Sequence, residues 1–354
     1  MPHNCQRRRS PTFLLTVTVL LLPSIVSGQM PESPQGCAKA AQQVEEGKRA
    51  AAVGRTAEAI VAFRAASDVC PGDPTARLEL ARAQLAARKF KEAEESARKV
   101  WERHPRSETA QLLLAHSLIM QERFQESGQL LRKLLDQNDL NPEAHKLMGI
   151  TLFFYKEYVL AEHELGMALR QNPDDREALY YLGRVYYTQN NFGPAVQAFQ
   201  RLIANDPNSF KGYDNLGLCY QALGEAEEAM AAFKQSQEIS RNLDPTYDWP
   251  HANLAELLIQ ENRLDEALPS AREAVRINPQ SARNHYLLAK VLARGEGIEE
   301  SVSHLRRAIQ LDPQYPEAHY LLGQVFQKLG HREDAAREFA LFEQISKATP
   351  HKKK

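Results

Sequence analysis

The residues best equipped for chemistry in this chain are four histidines that recur at one interval. His145, His251, His285 and His319 each stand four residues ahead of a small residue, namely Gly149, Ala255, Ala289 and Gly323. Imidazoles in register suggest a metal, whose ligands would all lie about 2.1 Å from one ion. Equivalent positions on stacked helices are about 8–10 Å apart, so these four cannot share an ion and no metal role is expected. The phosphate loop GxxxxGK, the elbow GxSxG, the zinc pattern HExxH and the redox pair CxxC are absent from the sequence. Enzyme activity has no residue to rest on, no cofactor is expected, and an enzyme or an enzyme's accessory subunit is the remote alternative.

Charge and composition narrow the classes further. The 354 residues are 43% hydrophobic and 25% charged, with a formal charge of −1, which is ordinary for folded protein. Basic residues are not clustered, so phosphate contacts of the kind nucleic acids require have no footing. Residues 1–28 read as a secretory signal that is cleaved: Arg7, Arg8 and Arg9 precede the apolar run Phe13 to Leu22, then come Pro23 and the small residues Val26-Ser27-Gly28. The apolar stretch is shorter than the ~20 residues a spanning helix needs. Removing the segment leaves a net charge of about −4. Phe13 lies too far from Arg8-Arg9 for the usual twin-arginine pattern, and Cys37 follows a polar stretch, so it is not in a lipobox. The chain is therefore expected outside the cytoplasm, in a bacterial envelope or, alternatively, a secretory lumen. Association with a membrane stays open, but spanning one does not once the signal is gone.

A period organises everything after residue 39. Small residues fall at Gly47, Ala81, Ala115, Gly149, Gly183 and Gly217, then at Ala255, Ala289 and Gly323, always 34 apart except for one spacing of 38. Twelve residues after each comes a second small residue: Ala59, Ala93, Ser127, Ala161, Ala195, Ala229, Ala267, Ser301 and Ala335. A helix carrying Leu182, Gly183 and Tyr186 puts them on one face, and the missing side chain at Gly183 admits a second helix whose Ala195 and Phe199 fill the space. Prolines such as Pro71, Pro105, Pro173, Pro207, Pro279 and Pro313 follow, where a helix cannot continue. One such hairpin cannot bury both faces, so the hairpins must stack. The 38-residue spacing predicts a second helix about one turn longer in the sixth unit, followed by Tyr247 and Trp249.

This pattern resembles the tetratricopeptide repeat (TPR), most fully in Asn215 to Phe233, NLGLCYQALGEAEEAMAAF. The resemblance implies an all-α, right-handed superhelical solenoid of nine antiparallel helix pairs. Its units are 40–73, 74–107, 108–141, 142–175, 176–209, 210–247, 248–281, 282–315 and 316–348, with a linker at 29–39 and a basic tail at 349–354. It makes the recurring histidines stand-ins for the family's usual tryptophan.

The resemblance also implies a protein or peptide partner, bound on a concave face lined by first-helix positions six and three before the small residue and one, four and five after it. In the middle repeats these are Glu143, Lys146, Ile150, Phe153 and Phe154, then Glu177, Tyr180, Arg184, Tyr187 and Thr188, then Lys211, Asp214, Leu218 and Gln221. Rings beside cations suit an extended or helical peptide; the competing reading is that Phe153, Tyr180 and Tyr187 pack between helices. No three consecutive repeats carry the Lys and Asn set of chaperone-binding members. Asn215 and Asn253 match two rungs of the asparagine ladder by which sugar-transferase repeats grip peptide backbone.

Cys37, placed just before the first helix, and Cys70, ending its partner, fall at the same end of the first hairpin. A disulfide between them is expected in an oxidising compartment, the alternative being two neighbouring free thiols, while Cys219 reads as a core residue. At the far end Phe339, Leu341, Phe342 and Ile345 either bury within the last hairpin or leave an apolar surface for self-association. The function expected is a protein-binding scaffold or assembly factor, with an envelope-anchored assembly component as the alternative.

Overall fold

The computed structural model describes residues 34–348; the segment read as a signal and the basic tail lie outside the described residues. Nine hairpins follow one another among the described residues. They are α1 (Pro34–Ala52) with α2 (Thr56–Val69), α3 (Pro74–Ala86) with α4 (Phe90–Arg103), α5 (Glu108–Ile119) with α6 (Phe124–Leu135), and α7 (Pro142–Phe154) with α8 (Tyr158–Gln171). Then come α9 (Arg176–Thr188) with α10 (Phe192–Asn205), α11 (Phe210–Leu223) with α12 (Ala226–Leu243), and α13 (Trp249–Gln260) with α14 (Leu264–Ile277). The last are α15 (Ala282–Arg294) with α16 (Ile298–Leu311) and α17 (Pro316–Lys328) with α18 (Arg332–Ala348). No strand occurs among the described residues. None of the described helices is long and apolar enough to cross a membrane.

The chain divides into two compact units, one ending at Ala76 and the other beginning at Arg77. In the first, α1 packs on α2 and a disulfide joins Cys37 to Cys70, with their Cα atoms 5.0 Å apart. Helix α1 starts at Pro34, inside the stretch expected to be linker, so Cys37 lies within the helix rather than ahead of it. Proline is tolerated there because the first turn of a helix has no use for its missing N–H.

In the second unit the periodic small residues act as the spacing implies. A Cβ on Gly183 would stand 2.6 Å from the Phe199 ring, and one on Gly217 2.5 Å from the Phe233 ring. Both rings are fully buried, so each glycine exchanges helix propensity for interhelical contact. Side chains of Ser107, Asn141, Asp175 and Ser281 cap first helices by accepting from the amides of Ala110, Ala144, Ala178 and Asn284. As the 38-residue spacing predicts, α12 is 18 residues long where α10 and α14 have 14. From α5 to α17 each first helix brings its backbone close to that of the next first helix, whereas successive second helices stand further apart and meet through long side chains, as Arg272 of α14 meets Glu300 of α16 at 3.4 Å. First helices thus form the closer-packed inner side of this unit.

Candidate partner-binding face

The middle of the inner side is a mat of rings around one arginine. The Arg184 guanidinium carbon lies 4.6 Å from the centroid of Phe153, 5.6 Å from that of Tyr180 and 5.8 Å from that of Tyr181. Phe154 stacks on Phe124 at 4.8 Å and meets Phe153 and Tyr181 edge-on at 5.4 and 6.1 Å. Arg184 has no carboxylate partner among the described residues, so its charge is positioned by quadrupoles and left unneutralised. Phe153 is buried and Tyr180 and Tyr187 half-buried, Tyr187 against Phe192, while Phe154 is exposed. The rings therefore both pack between helices and leave an edge open, so the two sequence readings describe different atoms of the same cluster.

Several expected contact residues are instead committed internally. Lys146 is 8% exposed and ion-paired to Glu143 at 2.8 Å and to Asp175 and Glu177 at 3.3 Å. Burial works to lower its pKa, but the three carboxylates prevail and hold the ammonium above the usual lysine range. It ties α7 to the start of α9. Ile150 is likewise buried. Asn253, 2% exposed, donates to Asp214 Oδ1 at 2.9 Å and accepts from Arg283 at the same distance. Asn215 is half-buried and donates to the Lys211 carbonyl at 2.8 Å. The two ladder positions therefore differ: Asn253 has donor and acceptor both engaged inside the wall, whereas Asn215 spends one N–H on its own helix. Lys211 remains exposed, 5.8 Å from the Phe210 ring.

Asp214, expected at the surface, is 3% exposed. Burial pushes its carboxyl up to about 6, with the hydrogen bonds from Tyr247 and Asn253 pulling the other way. The four-residue insertion supplies Tyr247, whose hydroxyl donates to Asp214 at 2.7 Å while its ring lies 5.0 Å from Phe210. Arg283 extends the network to Glu256 at 2.6 Å and covers the exposed Trp249 ring at 5.4 Å. Cys219, with a thiol that burial pushes up to about 12, is a core residue.

Two cavities flank the ring cluster, both at inner-face positions. The larger, about 650 Å³, lies between α3, α5 and the start of α7 and is lined by Arg82, Leu85, Leu112, His116, Met120 and Glu143 among others. The second, about 290 Å³, lies between α15 and α17 and includes Tyr286, Lys290, Arg294, Tyr320 and Lys328. The positional rule used for the middle repeats generates most of these residues when applied to repeats two, three, eight and nine. The sequence signal for them is thus the same repeat register, outside the middle repeats.

Three of the four recurring histidines, His145, His285 and His319, hold hairpins together in a way that a tryptophan stand-in would not. His145 places Nδ1 2.6 Å from Glu164 Oε2 and Nε2 2.8 Å from the Asp139 carbonyl, spanning helix and turn. His319 repeats this with Glu338 at 2.7 Å and the Pro313 carbonyl at 3.4 Å. In repeat eight His304 takes the carboxylate's place, its Nδ1 3.0 Å from that of His285. Among the described residues no group of three or more His, Cys, Asp or Glu could hold a metal.

Paired helices stacked in register, with first helices making the inner side of the second unit, define a helical-hairpin solenoid. Family models described as tetratricopeptide repeat match residues 50–97, 85–149, 157–210 and 210–280, and one described as TPR repeat matches 297–330. The chain belongs to the tetratricopeptide-repeat proteins, a family of protein-interaction scaffolds. No curated protein matches it in sequence. Among solved structures it is similar to one titled as the APC/C hetero-tetramer Cut9-Hcn1, with a TM-score of 0.65 and 14% identity over 80% of this chain and 55% of that one. It thus spans little more than half the length of that chain. Smaller solenoids align over about half of it: MamA from Desulfovibrio magneticus RS-1 (19% identity, TM-score 0.44, covering 50% of this chain and 98% of that one) and YrrB (18%, 0.43, 53% and 93%), the latter described as a TPR protein with an unusual peptide-binding site.

Proposed function

We propose that this protein is a non-catalytic scaffold that holds a protein or peptide segment along the inner side of its second unit, outside the cytoplasm. The observation that carries the reading is the placement of two cavities where first helices of successive repeats face one another, on either side of the unneutralised Arg184, a third of about 440 Å³ lying between α6 and α7 instead. Hydrophobic walls with a few fixed charges suit an extended or helical segment. Placement outside the cytoplasm is supported by the Cys37–Cys70 pairing, which an oxidising compartment would maintain, and by the n, h and c layout of residues 1–28.

The test is affinity capture from an envelope extract with the wild-type chain beside an Arg184→Glu/Met120→Glu variant of equal helicity. Retention of one partner by the wild type and its loss from the variant supports the inner face. Equal retention by both overturns it.

A further inference from the structure

Three cations converge on the cavity between α15 and α17 without an ion pair among the described residues. Arg294 donates to the Ile259 carbonyl at 3.1 Å and to Asn262 Oδ1 at 2.8 Å, Lys328 donates to the Ala293 carbonyl at 3.4 Å, and the Lys290 ammonium lies 5.7 Å from the Tyr286 ring centroid. The acid lining the same cavity is Glu317, and it too forms no ion pair among the described residues. Two other inner-face cations are treated differently. Lys146 is neutralised by three carboxylates and Arg283 by Glu256 at 2.6 Å. Three cations against one acid leave a surplus of positive charge here, beside the tyrosines Tyr286 and Tyr320.

We propose that this end of the inner face takes an acidic segment of the partner, its Asp and Glu side chains against Lys290, Arg294 and Lys328 and an apolar or aromatic side chain between Tyr286 and Tyr320; this deepens, and rests on, the reading of the inner face as the binding face. Carboxylates are the complement of the cavity for two reasons. Charge-assisted bonds from ammonium and guanidinium groups are roughly twice as strong as neutral ones. A single-sign cleft also concentrates oppositely charged ligands and repels like charge, which gives selectivity and a faster encounter. The tyrosine rings add area at little entropic cost. Because the cations are solvent-accessible, the preference weakens as salt shortens the screening length to about 8 Å near physiological ionic strength.

A phage-displayed library of random peptides, panned on the full chain at low salt, tests this. Peptides recovered on the wild type are expected to be enriched in Asp and Glu. On Lys290→Glu/Lys328→Glu the enrichment should shift to Lys and Arg, and the best acidic peptide from the wild-type selection should lose about tenfold or more in affinity. Lys290→Gln/Lys328→Gln should weaken the acidic preference without inverting it. Recovered peptides with no acidic bias, or an acidic bias untouched by the charge reversal, overturn the inference. If such unbiased peptides are still lost on Arg184→Glu/Met120→Glu, the inner-face reading stands while the acidic preference falls. If neither pair of substitutions alters what is recovered, both fall.

Discussion

The Tyr247 hydroxyl donates to the Asp214 carboxylate at 2.7 Å, so the turn after α12 satisfies a buried charge on α11, 33 residues earlier. Tyr247→Phe removes one of the two side-chain hydrogen bonds, from Tyr247 and Asn253, to a carboxylate that is 3% exposed, and should cost about 1–3 kcal/mol of stability at neutral pH. The pH dependence has a definite sign. Asp214 titrates near 6 when folded against an ordinary 3.8, so its contribution is fully present below about pH 4 and is lost as pH rises through about 6. The bond from Tyr247 favours the ionised form, and its loss raises the folded pKa further. Thermal melts should therefore show a larger penalty for Tyr247→Phe at about pH 7 than at about pH 5; equal penalties would refute the assignment.

The sequence period made the hairpins legible, because Gly183 and Ala195 or Gly217 and Ala229 mark a contact within one repeat, at fixed spacing. The fate of Lys146 was not legible, since Asp175 and Glu177 stand about 30 residues further along the chain, at the boundary with the next repeat, and reach it only because α9 stacks on α7. Asn253 was misread for a related reason: its spacing matches a ladder rung, but Asp214 and Arg283, on the helices either side, claim both ends of its amide. Contacts within a repeat follow from its period; contacts between repeats depend on which two residues the period brings face to face.

Lys156 should be replaceable with profit. It adopts φ 64° in the turn between α7 and α8, a left-handed conformation that Gly224 and Gly330 supply at the same repeat position. Its amide donates to the Phe153 carbonyl at 3.0 Å and the next amide to that of Leu152, so the conformation ends the helix and cannot relax. The left-handed region costs a side-chain-bearing residue about 1–2 kcal/mol, partly offset by the greater freedom of glycine in the unfolded chain. Lys156→Gly is expected to gain about 0.5–1 kcal/mol, read as a higher urea midpoint at unchanged slope. A lower midpoint would contradict it.

Opening the disulfide should be felt locally. Cys37 and Cys70 are 33 residues apart, and in the chain-entropy picture a loop of that size contributes about 3–4 kcal/mol. Hydrogen exchange with and without reductant should show amides of α1 and α2 exchanging faster once the bond is reduced, while those of α9 and α10 keep their protection. Uniform acceleration along the chain, or none in α1 and α2, would argue against a stabilising role confined to this hairpin.

Repeat eight should be the acid-sensitive hairpin. Burial lowers the pKa of both His285 and His304 from the ordinary histidine value of 6.5, and each ring also feels positive neighbours, Arg307 for His285 and Arg272 for His304, with Glu300 offsetting in part. Their contribution to stability is therefore present above about 6.5 and lost as pH falls through the lowered folded values. With both rings neutral, His304 can donate to His285 while His285 donates to the Pro279 carbonyl; a second proton sets two cations against each other across 3.0 Å. His304→Glu would recreate the arrangement of His145 with Glu164 and His319 with Glu338, in which the imidazole faces a carboxylate instead of a second imidazole. The variant should melt higher than the wild type at about pH 5 and lose that advantage towards about pH 8. Hydrogen exchange of α15 and α16 locates the effect: acid should raise exchange there in the wild type but not in the variant, and a loss of protection elsewhere first would place the sensitivity in another hairpin.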